Sequence, residues 1–202
     1  MAPILRNQVA REVQSSQMLL NKESPYRLTS TREVYRNPWI AVREDRVVRR
    51  DGRDALFGVV TMKAGASVLA LDARGDVHLV REFKYGLGRE SLEVMSGGIE
   101  AGETPLEAAR RELEEETGLV ATEWIDLGTL HPFTTVVDSP NYLFLARGIE
   151  QRNATPEPGE FLDIVRMPFD RAVDLVMRGE ITHGGSCAVI LKAHVLIGRA
   201  RS

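Results

Sequence analysis

Short runs of β-favouring residues, separated by polar breaks, fill the chain over residues 33–80. They lie at residues 34–35, 39–42, 47–48, 56–61, 66–71 and 77–80. Turn-forming residues divide them, with Asp51-Gly52 in the first group and residues 73–76 in the second. The pattern predicts a small antiparallel β unit over residues 27–64, followed by a hairpin that begins a second domain.

Clear helical spacing appears only in the second half of the chain. It predicts helices over residues 104–117, 170–178 and 186–199, with strands at residues 124–130, 142–146 and 162–167 between them. Residues 153–160 contain two prolines and a glycine, which predicts a loop. The order of the elements indicates an α/β fold of the α+β kind, built on a mixed sheet, over residues 65–202.

The first 26 residues are polar with weak helical spacing, and we expect a tail or a loosely docked helix there. Arg6, Arg11 and Glu12 stand where a secretory signal needs an apolar segment, so no export signal is expected. The sequence contains no run of about 18 apolar residues, so no membrane span is expected. The single cysteine, Cys187, cannot form an internal disulfide, which favours a reducing, cytoplasmic setting.

The size and charge of the chain limit its function further. A chain of 202 residues can bury one core, or one core with a small satellite unit. The net charge of -3 argues against general binding of nucleic acid, which needs a basic field to release counterions. Any phosphate that the protein binds is therefore expected to belong to a small molecule.

The helix over residues 104–117 has strong local signals. Thr104 suits the N-cap, Pro105 suits the first helical position, and Glu107 completes a capping box. Gly118 is expected to end the helix.

Three glutamates on this helix, Glu112, Glu115 and Glu116, stand at i, i+3 and i+4 and therefore project from one patch of its surface. Such a cluster is either a solvated acidic face or a cation site. Clustered carboxylate oxygens suit Mg²⁺ or Mn²⁺, which commonly bridge to substrate phosphates.

The spacing around these glutamates favours the cation site. The chain has Gly97, five residues, Glu103, seven residues, and then residues 111–119, Arg-Glu-Leu-Glu-Glu-Glu-Thr-Gly-Leu. This series resembles the signature of the Nudix hydrolases, G-x5-E-x7-R-E-U-x-E-E-x-G-U, where U is a bulky aliphatic residue, at all nine specified positions. The resemblance implies a Nudix-type α/β/α sandwich.

It also implies roles for the residues of the signature. Divalent cations, Mg²⁺ with Mn²⁺ as an alternative, are expected on Glu112, Glu115, Glu116 and the backbone carbonyl of Ser96. Arg111 is expected to be the structural and electrostatic partner of the acidic cluster. Gly97 and Gly98 allow the backbone to approach a metal or a phosphate closely.

Other segments resemble one branch of the family, the ADP-ribose and nucleoside diphosphate sugar pyrophosphatases. They are residues 37–40, 79–85, 92–97 and 178–182. The resemblance implies hydrolysis of a diphosphate linkage to a nucleoside monophosphate and a sugar phosphate. It also implies a homodimer in which the N-terminal strands help to build the active site.

Substrate contacts are predicted in the segments around the signature. Arg81 and Lys84 are expected to meet diphosphate oxygens. Glu93 is placed among apolar neighbours where an unpaired carboxylate would be costly, which favours a functional role. Trp39 either stacks on a nucleobase or fills a core or dimer interface.

Branch members commonly use a glutamate on a loop after the signature as general base. Glu160 is the candidate, with Glu157 and Asp138 as alternatives. Residues 132–139 lack the Pro-x-Pro-Gly and the following glutamate of many ADP-ribose enzymes, and His183 stands where the branch often has aspartate. These departures leave other nucleotide sugars open as substrates.

Two other functions are weighed against this one. The first is hydrolysis of nucleoside triphosphates or dinucleoside polyphosphates, which the N-terminal strands and residues 79–97 disfavour. The second is a non-catalytic nucleotide sensor, which would be expected to lose metal-site glutamates, whereas all three are present here.

Overall fold

The computed structural model describes residues 24–152 and 162–201. The strands are β1 (Tyr26–Arg36), β2 (Ile40–Arg49), β3 (Asp54–Met62), β4 (Gly65–Leu71), β5 (Asp76–Lys84), β6 (Arg89–Glu93), β7 (Met95–Gly98), β8 (Leu119–Leu130), β9 (Val137–Asp138), β10 (Asn141–Gln151) and β11 (Asp163–Pro168). The helices are α1 (Pro105–Thr117), α2 (Phe169–Met177) and α3 (Gly184–Arg201), with a 3-10 turn at Tyr85–Leu87. Within the described residues, no helix is both long and apolar enough to cross a membrane.

The chain divides into two compact units, which are described separately. Of the described residues, the first contains 24–34 and 43–58, and the second contains 35–42, 59–152 and 162–201. In the first unit, Tyr26 packs edge-on against Phe57 with ring centroids 5.0 Å apart, and Val47 is buried. Residues 27–34 and 43–58 of this unit belong to the predicted N-terminal β unit, whereas residues 1–23 of the predicted tail lie outside the described residues.

Two sheets organise the strands. The four-stranded sheet has the order β1-β2-β3-β9, and the seven-stranded sheet has the order β11-β5-β4-β10-β8 with β6 on β5 and β7 on β4. Strands β4 and β10 pair in parallel, while β10 with β8, β11 with β5 and β4 with β5 pair antiparallel. The larger sheet is therefore mixed, as predicted.

Helices cover both faces of the larger sheet because successive strand residues point to opposite sides. In β4, Ala66 and Val68 belong to a buried cluster that includes Leu113 of α1. Leu69, the next residue, belongs to a second cluster that includes Leu175 of α2 and Ile190 of α3. The two clusters form the α/β/α sandwich, and the predicted fold class is confirmed.

Helix α1 begins and ends as its sequence predicts. The Thr104 side chain accepts a hydrogen bond from Glu107 N, and the Glu107 carboxylate accepts one from Thr104 N at 2.8 Å. Gly118 has a φ of 68°, a left-handed conformation that glycine adopts without strain. The helix bounds are therefore specified by local chemistry.

The sequence patterns missed β6, β7 and the two-residue strand β9. Strand β6 reads Arg-Glu-Ser-Leu-Glu, which has no apolar alternation, yet Ser91 and Glu93 are buried. Strand β7 contains two glycines, which disfavour strands intrinsically. Both strands form because β5 and β4 supply the hydrogen-bonding partners, and that pairing is a tertiary effect.

Candidate active site

The glutamates of α1 do not form a solvated acidic face. Ala109 and Leu113 are fully buried and dock one side of the helix on the sheet. Only 13% of the Glu112 side chain and 31% of the Glu115 side chain are exposed, and the Glu116 Oε2 atom is buried. The acidic patch is therefore partly withdrawn from water, which favours the cation site among the two interpretations.

Arg111 connects the acidic patch to the loop before the helix. Its Nη1 donates to Glu112 Oε1 at 2.7 Å and to Glu115 Oε2 at 3.0 Å. Its Nε donates to Glu103 Oε1 at 2.7 Å, and its Nη2 donates to the Gly98 carbonyl at 2.9 Å. The planar fork of the guanidinium group allows one side chain to make all these contacts.

The charges in this network shift two pKa values in a consistent way. The hydrogen bond from Arg111 is the main cause that lowers the pKa of Glu103 to about 2. The hydrogen bond to Glu103, followed by those to Glu112 and Glu115, raises the pKa of Arg111. Glu103 and Arg111 are therefore both charged at neutral pH.

Gly97 lies directly against the Glu112 carboxylate. A Cβ atom at position 97 would lie 1.9 Å from Glu112 Oε1. Gly97 pairs with Ala66 of β4, whose side chain packs in the α1 cluster, so position 97 faces α1 as well. Only glycine allows the backbone and the carboxylate to come this close.

Gly98 and Ser96 flank this glycine. A Cβ atom at position 98 would lie 2.5 Å from Lys63 Cδ, a flexible neighbour. Ser96 pairs with Ser67 of β4. The predicted loop and helix thus come together on one platform.

The donor set of the platform fits a divalent cation. Three carboxylates within about one helical turn offer the hard oxygen ligands that Mg²⁺ and Mn²⁺ prefer. In residues 24–152 and 162–201, no three His, Cys, Asp or Glu side chains already converge to enclose an ion. Arg111 lies between Glu112 and Glu115, so a cation on these two residues competes with the guanidinium group for their oxygens.

Lys84 lies close to the platform, in a cluster of carboxylates. Its Nζ donates to Glu82 Oε2 and lies 3.9 Å from Glu93 Oε2. Burial acts to lower the pKa of Lys84, but the hydrogen bond to Glu82 and the charges of Glu93 and Glu116 together raise it. Lys84 is therefore a cation held beside the acidic helix.

Arg81 lies on the other side of the strand. Val80 packs in the cluster beneath α1, whereas Leu79 packs in the cluster beneath α2 and α3. By alternation, Lys84 shares the face of Val80, and Arg81 shares the face of Leu79. The structure therefore does not bring Arg81 and Lys84 together.

Trp39 is exposed, with 74% of its surface accessible. It follows Asn37, whose Oδ1 accepts from Trp39 N at 2.9 Å and from Ile40 N at 2.8 Å and so shapes the turn between β1 and β2. Trp39 does not fill a core of this chain, which leaves base stacking or an interface.

The candidates for the general base are not brought to the platform by described contacts. Glu160 and Glu157 lie outside the described residues. Asp138 is exposed in β9, where it pairs with Thr61 of β3.

One contact partner of Glu93 was not proposed as a site residue. His183, which precedes α3, places Nδ1 3.3 Å from Glu93 Oε2 and 2.9 Å from Ser186 Oγ. The sequence offered only a weak indication of this contact. Glu93 stands among apolar residues and therefore needs a polar partner, but the sequence does not show which distant residue provides it.

Comparison with known protein families shows which family the chain belongs to. Residues 61–184 match the model of the NUDIX domain. The chain belongs to the Nudix family. Residues 26–60 match the nucleoside diphosphate sugar hydrolase N-terminal domain. Nudix hydrolases generally use divalent metal ions, in keeping with the carboxylates of α1.

Relatives of this Nudix hydrolase include ADP-ribose pyrophosphatases from two bacteria. The protein from Mycobacterium tuberculosis is 28% identical over 180 residues, covering 86% of each chain. The protein from Bacillus subtilis is 28% identical over 134 residues, covering 65% of this chain and 72% of the relative. The solved structure of an ADP compounds hydrolase superposes with a TM-score of 0.78 at 21% identity, covering 90% of this chain and all of that one, which shows a shared fold. The chain is an enzyme that hydrolyses nucleoside diphosphate-linked substrates.

Proposed function

We propose that this Nudix hydrolase cleaves the diphosphate linkage of ADP-ribose or a related nucleotide sugar, releasing a nucleoside monophosphate and a sugar phosphate. The observation that carries the proposal is the Glu112 carboxylate, 13% exposed, which Arg111 holds against Gly97. A carboxylate that is partly buried and held in a defined orientation is suited to bind a cation that also binds diphosphate oxygens. The names of the two bacterial relatives support ADP-ribose as the first substrate to test.

In this proposal Glu112, Glu115, Glu116 and the Ser96 carbonyl hold Mg²⁺, or Mn²⁺ in its place. When bound, the cation would neutralise charge on the diphosphate and lower the pKa of the attacking water. Arg111 keeps the carboxylates oriented, and Gly97 gives the backbone access to them.

Lys84 is proposed to bind diphosphate oxygens, since it is a cation beside the acidic helix. Arg81 lies on the face of β5 opposite to Lys84, and its assignment as a substrate-binding residue rests on the sequence alone. Glu160 remains our candidate for the general base, with Glu157 and Asp138 as alternatives. Separate Glu160→Gln, Glu157→Gln and Asp138→Asn variants would rank them by loss of kcat.

We also propose a homodimer, as the resemblance implies. All eleven residues of β1, an edge strand in its sheet, are exposed, including Tyr26, Leu28, Val34 and Tyr35. Natural proteins rarely leave so long an edge strand uncovered. A second copy on this strand would explain its apolar residues, and Leu28→Lys would then lower the mass measured by light scattering. A cytoplasmic location, favoured by the single cysteine, completes the proposal.

The decisive experiment is a hydrolysis screen with Mg²⁺ and with Mn²⁺ over ADP-ribose, nucleotide sugars, nucleoside triphosphates and dinucleoside polyphosphates. We expect turnover of a nucleotide sugar, and a loss of roughly 100-fold or more for Glu115→Gln and Glu116→Gln, since both variants remove a metal ligand. Glu114→Gln is the matched control, because this neighbouring side chain is 44% exposed and pairs with Arg152 at 3.5 Å.

Unchanged turnover in the Glu115 and Glu116 variants would contradict the metal site. Preferred turnover of triphosphates or dinucleoside polyphosphates would replace the substrate class. Absence of turnover for every compound would favour a nucleotide sensor.

A further inference from the structure

A buried polar cluster beside the acidic platform joins three segments that are distant in sequence. Glu93 ends β6, Lys84 ends β5, and His183 directly precedes α3. The Glu93 side chain is only 7% exposed, and its Oε2 lies 3.3 Å from His183 Nδ1 and 3.9 Å from Lys84 Nζ. A carboxylate this deeply buried is costly without polar partners, and these two side chains lie against it.

The neighbours of His183 determine where its proton lies. Nδ1 faces Glu93 Oε2, which only accepts, and Ser186 Oγ at 2.9 Å, which itself accepts the Val94 N–H at 3.0 Å. Without a proton, Nδ1 would place its lone pair against the carboxylate. The neutral ring is therefore expected to carry its proton on Nδ1, which lies between Ser186 Oγ and Glu93 Oε2.

The cluster also indicates what Glu93 can bind. The closest approaches of His183 and Lys84 are both to Oε2, and Oε1 has lone pairs that can accept a hydrogen bond from a ligand. Phosphate oxygens are anionic acceptors and are repelled by a carboxylate, whereas sugar hydroxyls are donors. The charges of Glu93 and Glu116 both act on Lys84, the residue proposed to bind diphosphate oxygens. Glu93 lies 3.9 Å from Lys84 Nζ, so its ligand is expected beside the diphosphate, and the group bonded directly to a diphosphate is a sugar.

We propose that His183 is a positioning residue, which holds the Glu93 carboxylate so that its Oε1 accepts a hydrogen bond from a hydroxyl of the substrate's sugar. This inference rests on the proposed function for its ligand, but the His183–Glu93 pair itself is independent of any substrate. The competing explanation is that His183 merely caps α3, since its carbonyl accepts the Cys187 N–H at 2.9 Å. A cap requires no link to Glu93.

Kinetics of His183 variants separate the two roles. His183→Ala removes the donor, and we expect KM to rise about tenfold with a smaller change in kcat, the size of one charge-assisted hydrogen bond. His183→Asn keeps an N–H near the Nδ1 position and should recover most of the loss. His194→Asn is the matched control, because this histidine of α3 is exposed and packs edge-on against Phe169, with ring centroids 6.1 Å apart.

Thermal unfolding of each variant shows that the comparison is made on folded protein. Wild-type KM in folded His183→Ala would overturn the proposal. Equal damage in His183→Asn and His183→Ala would also overturn it, because the donor would then be irrelevant.

A second measurement needs no activity. The ring ¹⁵N shifts of His183, assigned by loss of its signal in His183→Asn, should show the Nδ1–H form. The groups that face the ring are Glu93 from β6, Lys84 from β5 and Ser186 from α3. Burial, the largest effect, lowers the pKa of His183 below the usual 6.5, the Glu93 charge raises it, and Lys84 lowers it.

Glu93→Gln should therefore lower the titration midpoint of His183 further. An unchanged midpoint in Glu93→Gln would overturn the proposed pair. If the midpoint moves as expected while the hydrolysis screen finds no diphosphate substrate, the pair stands and the proposed function fails.

Discussion

The acidic platform and the Glu93 cluster are both polar and partly buried, but they are assembled differently. The platform draws its carboxylates and Arg111 from one helix and the loop before it, with Glu103 only eight residues from Arg111. In the Glu93 cluster, His183 and Glu93 lie in distant parts of the chain. They come into contact only when α3 packs beside β6, where Val94 and Ser186, 92 residues apart, also form a hydrogen bond. The first site is therefore specified by residue spacing within one helix and its loop, and the second by the packing of distant elements.

The largest effect that would test this comparison is expected at Gly97. In Gly97→Ala, the new Cβ would lie 1.9 Å from Glu112 Oε1, so the carboxylate must move. A displacement of about 1 Å at a reacting centre costs roughly 100-fold in rate, and we expect a loss of kcat/KM of this order. Gly98→Ala should lose much less, because its new Cβ meets the flexible Lys63 side chain. Equal losses in both variants would show that the platform is less local than described.

A smaller effect is expected in the Glu93 cluster from Gly185→Ala. The new Cβ would lie 2.7 Å from Ser67 Oγ and 3.0 Å from His183 Cε1, which displaces the ring from Glu93. We expect KM to rise severalfold with little change in melting temperature, since alanine favours the helix by about 1 kcal/mol over glycine and offsets the crowding. Gly184→Ala, with nothing within 4 Å of its new Cβ, should leave KM unchanged. A wild-type KM in Gly185→Ala would mean that the cluster tolerates movement of His183.

The smallest effect concerns acid stability and the platform alone. The pKa of Glu103 falls from 4.5 to about 2 in the folded chain, mainly through its hydrogen bond from Arg111. Because the folded pKa is the lower one, the stabilisation is present above pH 4.5 and is lost as the pH falls towards about 2. The free energy of unfolding of the wild type should therefore exceed that of Glu103→Gln at neutral pH, and the difference should shrink over this window in urea titrations. A constant difference would contradict the ionic link.

Several features were predictable because their causes lie close together in the chain. The capping box of Thr104 and Glu107, and Gly118 at the other end, define α1 by contacts within one turn. The i, i+3, i+4 spacing places Glu112, Glu115 and Glu116 together wherever that helix forms. The opposite orientation of Arg81 and Lys84 was also readable, since three residues along a strand reverse the face.

Strands β6 and β7 were not predictable in the same way. Their sequences lack apolar alternation, and they become strands because β5 and β4 present unpaired backbone groups to them. The burial of Glu93 follows from that pairing, and its contact with His183 follows from the packing of α3. A pattern along the chain does not contain these distances.

By itself, the sequence determined the helix, its acidic patch, the signature that identifies the Nudix family, and the mixed α/β character of the fold. These depend on spacing within one element, where backbone geometry converts sequence separation directly into distance. Only the tertiary structure decided that Glu112 is packed against Gly97 and that His183 reaches Glu93. Those facts depend on how separate elements pack, and packing is set by the burial of the whole apolar core.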